Sequence, residues 1–445
     1  MATQDSRELS DETERWWRRN MLINAVVDSG YGFGLSLLAV GTIIAVFLKR
    51  MGASNTIVGL APALSMVCMA ITQLPATHLT RHLRRKKTVF VALHLIAYLP
   101  WLVVGVLALE WAKPHPHRMI VALLGLMAVG ALVLGSSPPL WGQLLPRLFP
   151  DRKRGRAAGI IILAQGAAGV GGGLFASYVL AHKAFPVNFA TLFLTAGVVM
   201  VVARSLHLLS HESVPAEPPE APTESLWRIA TGIWTSDRRL RRFILARYIY
   251  ESGGAVGSFI AVYALARFDL PDAAAGHFAL AASLGMGLVA PWLGRLGDQR
   301  GYRRVMGWAM VTAFCTICLA VVAPHARVMY VVFFLAGIAG AADGVAYVNL
   351  LVEMGDEKTR GYYIALGFTA MAPLRLAAPL FWGATSDHLT RVLGDPARGL
   401  ATIFLWGLSL QALGYLALVS TVDDPRRPKR RILHWRRGML WPRYY

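Results

Sequence analysis

Charged side chains are scarce in this chain, and their scarcity excludes an ordinary soluble protein. Only 16% of the 445 residues are Asp, Glu, Lys or Arg, whereas about 25% is usual in soluble domains. Cysteine is scarcer still, and Cys68, Cys315 and Cys318 all lie in apolar stretches that offer no partner ligands. The sequence therefore favours small packing residues over a redox or metal-binding pair.

The signatures of catalysis and of nucleotide use are missing as well. The chain contains no GxxxxGK[ST] phosphate loop, no HExxH pair and no cluster of His and Cys. The glycine run GYGFG, from Gly30 to Gly34, lies in a predicted helix and lacks the strand–turn–helix setting of a dinucleotide site. The sequence thus predicts a protein that is not an enzyme and that has no cofactor and no metal ligands.

Long apolar runs are what the chain has instead. Hydrophobic residues make up 55% of it, and its mean hydropathy is +0.47. Runs of about 20 residues are long enough to cross about 30 Å of hydrocarbon as helices. They lie near residues 21–48, 55–77, 88–110, 118–140, 157–181, 187–208, 241–266, 274–293, 305–323, 328–350, 361–385 and 399–420. The predicted fold class is therefore an all-α integral membrane protein with twelve transmembrane helices.

The charges that are present are strongly basic and unevenly placed. The net charge is +20. With a cytoplasmic N-terminus, the tails and even-numbered connections hold 34 of the 45 Lys and Arg, and the opposite side holds 9. This positive-inside asymmetry predicts a multi-pass protein of the cell membrane with both termini in the cytoplasm. The basic excess is an orientation signal that also attracts anionic lipid heads, so no nucleic acid partner is expected.

One polar stretch has a specific spacing. GRLGDQRGYRR, from Gly294 to Arg304, separates the eighth and ninth apolar runs and is predicted to be a tight loop. It fits the pattern G-x-L-x-D-R-x-G-R-R, and the chain here resembles the major facilitator superfamily, at Gly294, Leu296, Asp298, Gly301 and Arg303. Gln299 and Tyr302 depart from the pattern, and Arg300 and Arg304 each lie one place later.

The resemblance implies a structural and a functional role for this loop. Two pseudo-symmetric six-helix halves would rock about a central site, and the loop would act as a conformational switch. Gly294 would allow close helix approach, and Gly301 would supply unusual turn angles. Asp298 would accept hydrogen bonds at a nearby helix N-terminus. The first-half copy, Thr77 to Lys87, has lost its acid, so whether it still acts as a latch stays open.

Internal repeats favour the same two halves. RNMLINAVVDSG in the first run aligns with RRFILARYIYESG in the seventh, which sets Asp28 against Glu251. A stretch rich in Pro and Glu, His211 to Glu224, separates the halves and is expected to be extended. The predicted organisation is a cytoplasmic arm (1–20), a first half (21–210), a linker with a short amphipathic helix (211–240), a second half (241–421) and a basic tail (422–445).

Ionisable residues inside predicted spans are the candidates for function, because they are costly in lipid. They are Asp28, Arg247, Glu251, Asp343 and Arg375. Arg247 and Glu251 are four residues apart and can pair on one helix face. By the resemblance, the spans that hold Asp28, Glu251 and Asp343 line the central path, where an acid can carry a proton. The alternative is that these groups form structural ion pairs or, for Arg247, snorkel to the interface.

Two further candidates lie in the fifth and eleventh spans. Arg375 either holds an anionic substrate or neutralises an acid such as Asp343. Gln165 precedes the glycine-rich stretch GAAGVGGG, which allows close helix crossing. Drug exporters of the superfamily carry a proline in that helix, and its absence here weakens that assignment.

The predicted function is secondary active transport of a small solute by alternating access, coupled to protons, by a monomer. Two alternatives remain open at this stage: an uncoupled facilitator, or a non-transporting membrane sensor or assembly factor with the same fold. The residues do not indicate the substrate, the direction of transport or the coupling ion.

Overall fold

The computed structural model describes residues 2–80, 83–214, 225–355 and 359–422, and within these ranges the chain forms helices and no strand. The helices of the first half are α1 (Ala2–Leu37), α2 (Ala45–Arg50), α3 (Asn55–Thr80), α4 (Lys87–Trp111), α5 (Pro116–Leu134), α6 (Ser137–Leu148), α7 (Asp151–His182) and α8 (Val187–Leu206). A π-helical turn, Val40–Ile44, leads from α1 into α2, so these two helices form one span.

The second half repeats this arrangement. Its helices are α9 (Leu226–Ser236), α10 (Arg238–Gly254), α11 (Ile260–Phe268), α12 (Ala273–Arg300), α13 (Tyr302–Val322), α14 (Arg327–Met354), α15 (Arg360–Leu393) and α16 (Pro396–Thr421). The short helix α9 lies in the linker, and a 3-10 turn, Ala255–Phe259, joins α10 to α11 in the seventh span. Residues 215–224 of the linker and 423–445 of the tail lie outside the described ranges.

Twelve spans were predicted, and the described helices match them. Eleven helical segments are long and apolar enough to cross a membrane, and the shorter apolar helix Ala273–Val289 occupies the eighth position. The predicted polar arm is not separate from the first span, because α1 runs without a break from Ala2 to Leu37. Extending an existing helix costs far less than starting a new one, which accounts for this continuity.

The loop predicted from Gly294 to Arg304 is much shorter than expected. Helix α12 continues to Arg300, and α13 begins at Tyr302, so Gly301 alone connects them. Gly301 has a φ of 87°, a conformation that glycine adopts readily and that fits its predicted role in the turn. The Arg and Leu residues before it are good helix formers, and they extend the helix once it leaves the apolar run.

The predictions for the other residues between Gly294 and Arg304 compare differently with the structure. A Cβ built on Gly294 would meet no described atom within 4 Å, so the described residues give no close approach there and the role of Gly294 stays a prediction. The close contact is at Gly297, which packs directly against the ring of Tyr302. The side chain of Asp298 lies outside the described part of the structure, and so does Arg81 in the first-half copy of the loop.

The two halves meet along two helix pairs, α3 with α15 and α7 with α12. Small residues allow the backbones to approach at these crossings. A Cβ on Gly59 would lie 2.6 Å from the carbonyl oxygen of Pro379, and one on Gly173 would lie 2.6 Å from the Cβ of Leu280. Both contacts hold the halves together around a central space.

Candidate functional site

A cavity of about 410 Å³ lies between the halves. Spans seven, nine, ten, eleven and twelve form most of its wall, and α3 of the first half contributes Pro62, Ala63 and Met66. Most of the lining is alanine, glycine and other apolar residues. The four charged residues of the lining are Arg247, Glu251, Asp343 and Arg375, and they are called the central network below. The structure therefore brings together four of the six candidates predicted within spans.

Arg247 is at the centre of this network. Its side chain is only 1% exposed and bridges two acids on different helices. The Nη1 atom donates to Asp343 Oδ1 at 2.5 Å, and Nη2 donates to Asp343 Oδ2 at 3.1 Å. The Nη2 atom also donates to Glu251 Oε1, one helical turn further along α10. The predicted pairing of Arg247 with Glu251 is thus present, and Asp343 joins it.

Arg375 completes the network from α15. Its Nε atom donates to Glu251 Oε2 at 2.9 Å, and its Nη2 atom donates to Oε1 at 3.1 Å. This bidentate geometry is the strong form of an arginine–carboxylate contact. Arg375 therefore neutralises Glu251 and not Asp343, the acid named in the prediction. Two guanidinium groups and two carboxylates leave the network without net charge.

Aromatic rings support both guanidinium groups. The ring centre of Tyr347 lies 5.2 Å from the Cζ atom of Arg247 and 5.7 Å from that of Arg375. Such contacts are favourable because the ring face is electron-rich. The Tyr347 hydroxyl is buried without a hydrogen-bond partner among the described residues. Tyr347 was not predicted, although it lies four residues after Asp343 and shares its helix face.

Solvent access differs among the charged groups. The Asp343 side chain is 34% exposed, while those of Glu251 and Arg375 are about half as exposed. Burying an ion pair costs desolvation energy that its attraction barely offsets, so such a network is weak evidence for stability alone. Asp343 is the more exposed of the two acids and Arg375 the more exposed of the two arginines, so these are the groups of each sign that a solute in the cavity reaches most readily.

Asp28 lies in a separate cluster of the first half. Its carboxylate is 3.8 Å from an Nη2 atom of Arg204 on α8, too far for a hydrogen bond. The Arg204 guanidinium also lies over the ring of Phe90, at 5.3 Å from its centre. Sequence reasoning missed Arg204, because it is close to the end of its apolar run and resembles a flanking positive charge.

The remaining candidate, Gln165, joins neither charged cluster. Its backbone carbonyl packs directly against Gly32 where α7 crosses α1, and it does not line the central cavity.

A histidine of the first half, three residues after Arg204, also has unusual surroundings. His207 is fully buried, and neither ring nitrogen has a hydrogen-bond partner among the described residues. Across the described ranges, no group of three or more His, Cys, Asp or Glu residues could hold a metal.

Polar contacts join the two halves at the end of the bundle where α2 stops and α3 begins, called the closed end below. Asp387 of α15 accepts hydrogen bonds from the backbone N–H groups of Asn55 and Thr56, at 2.8 and 2.9 Å. The Thr56 hydroxyl donates to the same carboxylate at 2.6 Å. An acid at a helix N-terminus is favoured by the helix dipole and by its free N–H groups. Arg50 and Asp272 add an ion pair at 2.8 Å.

Comparisons with known proteins agree with this architecture. The sequence profile of the Major Facilitator Superfamily matches residues 25–281 and 251–432. No protein of curated function matches the chain by sequence.

Solved structures match over nearly the whole chain. A bacterial homologue of the human lysosomal transporter Spinster, in an inward-facing and unoccupied conformation, shares 15% identity at a TM-score of 0.64, with 92% of this chain and 98% of that chain covered. A mutant of the nucleoside transporter NupG shares 12% identity at a TM-score of 0.64, with 92% of this chain and 100% of that chain covered. A POT family transporter in complex with 5-aminolevulinic acid shares 12% identity at a TM-score of 0.64, with 91% of this chain and 96% of that chain covered. Identities this low show the fold alone.

Proposed function

The chain belongs to the Major Facilitator Superfamily, and we propose that it is a secondary active transporter of a small solute that works by alternating access. The observation that supports this most is the cavity between the halves, which bears reachable charges and is closed at one end by contacts between the halves. Rocking of the halves would break those contacts and expose the cavity to the other side.

The positive-inside asymmetry supports an orientation for this state. The tails belong to the basic side of this sequence pattern, so the closed end is proposed to face the outside of the cell. The described conformation would then face the cytoplasm. Asp387, Asn55 and Thr56 would separate when the cavity opens outward. The membrane is proposed to be the cell membrane.

We propose that the solute is a small zwitterion. Asp343 presents a carboxylate to the cavity for a positive group, and Arg375 presents a guanidinium for a negative group. The apolar lining suits a short uncharged segment between them. The 5-aminolevulinic acid named for one similar structure is a molecule of this kind. Because the central network is neutral, a solute with only one charge would leave an unbalanced charge in a poorly hydrated cavity.

Proton coupling is proposed to pass through Asp28. Glu251 and Asp343 both accept hydrogen bonds from guanidinium groups of the central network, which hold these carboxylates as fixed partners of the arginines. Among the described residues, the cation nearest to Asp28 is Arg204 at 3.8 Å, and the Asp28 side chain is 21% exposed, so its carboxylate is the one proposed to exchange a proton. This narrows the three acids predicted from the sequence to one. It also separates the proton site in the first half from the solute site in the second.

A transport assay tests the proposal. The full chain is reconstituted in proteoliposomes with a pH-sensitive dye inside, and zwitterionic, cationic, anionic and neutral solutes are added in turn. We expect the zwitterions to drive proton movement and Asp343→Asn to reduce their uptake at least tenfold. Glu110→Gln removes one charge at an exposed site at the end of α4 and serves as the matched control.

The alternatives give different results in the same assay. Uptake that is independent of an imposed pH gradient would contradict coupling and identify an uncoupled facilitator. Solute binding without flux would contradict transport and favour a sensor or assembly factor. Equal uptake of singly charged solutes would refute the assignment to zwitterions while leaving transport intact.

A further inference from the structure

A second space, separate from the central cavity, lies on the outer surface of the second half. It is a groove of about 590 Å³ between α13 and α16, with Leu335 of α14 at its side. Trp308 and Val419 line it and are 61% and 51% exposed. A Cβ built on Gly307 would lie 3.7 Å from the ring of Tyr415, an ordinary contact distance, so a side chain there would enter open groove space. In a membrane-spanning bundle, such an exposed apolar surface faces hydrocarbon.

The groove ends in two arginines. Arg303 and Arg304 lie in the first turn of α13 and line the groove at that end. The Nη2 atom of Arg303 donates to the carbonyl oxygen of Val419 at 2.7 Å, which holds the guanidinium across the gap between the helices. The Arg303 Nε atom is buried and has no hydrogen-bond partner among the described residues. Arg304 is exposed.

The helix itself adds to this positive end. The N-terminus of α13 carries the positive end of its dipole, and Gly301, which precedes it, provides no side-chain cap. Trp308 lies five residues after Arg303 along α13. Trp is typical of the boundary between headgroups and hydrocarbon. The order along α13 is therefore a cationic end, an interfacial ring and then an apolar channel.

We propose that this groove is a binding site for one phospholipid with an anionic headgroup. The phosphate lies between Arg303 and Arg304 at the start of α13, and an acyl chain follows the channel past Trp308 and Val311. Basic pockets between transmembrane helices bind anionic lipids in this way. The bound lipid bridges α13 and α16 at the end of the second half.

Charge argues against the other occupants. The chain beyond α16, residues 423–445, contains eight Lys and Arg and two acids, and its net positive charge disfavours it as the occupant beside two arginines. A free phosphate would satisfy the arginines but would leave the apolar channel unfilled. A zwitterionic phospholipid would fill the channel and gain less at the charged end, by roughly tenfold in affinity or more for two arginines.

Native mass spectrometry of the full chain in detergent tests the site. Phosphatidylglycerol, phosphatidylcholine and inorganic phosphate are titrated separately. The variants are Arg303→Gln with Arg304→Gln, the exposed Arg304→Gln alone, and Gly307→Leu, which fills the groove without changing charge. The matched control, Arg238→Gln with Arg239→Gln, removes two exposed charges at the start of α10 that do not line the groove.

For the wild type and the control, we expect one retained phosphatidylglycerol with at least tenfold preference over phosphatidylcholine. The double arginine variant should lose most of that preference, Arg304→Gln part of it, and Gly307→Leu should weaken retention of both lipids several-fold. Equal retention by all variants would overturn the proposal. So would full competition by inorganic phosphate, or loss in the arginine variants with none in Gly307→Leu, because these results indicate an anion site without an acyl channel.

Discussion

The same position of the internal repeat has opposite surroundings in the two halves. Glu251 of the second half is hydrogen-bonded to two guanidinium groups, while the aligned Asp28 lies 3.8 Å from one. Asn24 stands four residues before Asp28, where the second half has Arg247, and its side chain donates to the backbone of Asn20. The duplication thus kept an acid in both halves but surrounded it with cations in only one.

This difference indicates a division of roles. An acid clamped by two cations presents a fixed charge, which suits the recognition of a charged solute. An acid with one distant partner changes its protonation state at lower cost. Under the proposed function, the two halves would bind a solute and a proton at separate sites, and both sites would respond to the same rocking motion. Four experiments test this contrast, from the largest expected effect to the smallest.

The largest effect is expected from removing the central cation of the second half. Arg247→Gln removes the buried cation that contacts both Glu251 and Asp343, and breaking such a network costs about 3–5 kcal/mol. Arg204→Gln in the first half should cost less, because the Arg204–Asp28 contact, at 3.8 Å, exceeds hydrogen-bond distance. Thermal unfolding in detergent measures both. Equal losses would show that the two clusters are equivalent, contrary to the comparison.

Asp28→Asn should uncouple proton movement from solute transport. We expect solute-driven proton movement to fall at least tenfold, while exchange of labelled solute across the membrane continues. Glu251→Gln should do the reverse and weaken solute binding, because it leaves the central network with a net positive charge and removes the carboxylate that positions Arg375. Parallel dye and exchange assays in proteoliposomes measure both quantities. Loss of proton movement in Glu251→Gln with none in Asp28→Asn would reverse the assignment.

Asp387→Ala should loosen the contact between the halves. It removes three hydrogen bonds at the N-terminus of α3, and caps of this kind contribute about 1–2 kcal/mol. The open population at that end should rise about tenfold, measured by distances between spin labels on the two halves. Asp395→Ala removes a cap of α16 within the second half and is the control. An equal shift in both variants would mean that the effect is not specific to the interface.

The smallest effect is expected from a cap within one half. Asp237 accepts hydrogen bonds from the backbone of Arg239 and Leu240 and from the Tyr363 hydroxyl. Burial alone would raise the pKa of Asp237, but these hydrogen bonds outweigh it and hold the pKa below its usual value of 3.8. The stabilisation is therefore present above about pH 4 and is lost as the pH falls through the lower folded-state pKa.

Asp237→Ala should cost about 1 kcal/mol at neutral pH. Thermal unfolding between pH 3 and pH 7 measures this, and the wild type and the variant should converge at the acidic end. A constant difference between them across that range would contradict a contribution from the ionised carboxylate.

Much of the candidate site was predictable because ionisable residues in apolar runs are rare. Arg247, Glu251, Asp343 and Arg375 were all identified by that rarity, and the Arg247–Glu251 pair followed from helical spacing. The contact of Arg375 with Glu251 was not predictable, because the two residues are 124 positions apart. Asp387 was missed for a similar reason. It lies just beyond its apolar run, where an acid needs no explanation until α3 is placed against it.

By itself, the sequence determined that this protein crosses the membrane twelve times in two related halves. Each span depends on the hydrophobicity of about 20 consecutive residues, and such a property is local. Tertiary structure decided which acid meets which arginine and where the halves close. These depend on distances between helices that are far apart in the chain, and no periodicity of a single segment contains that information.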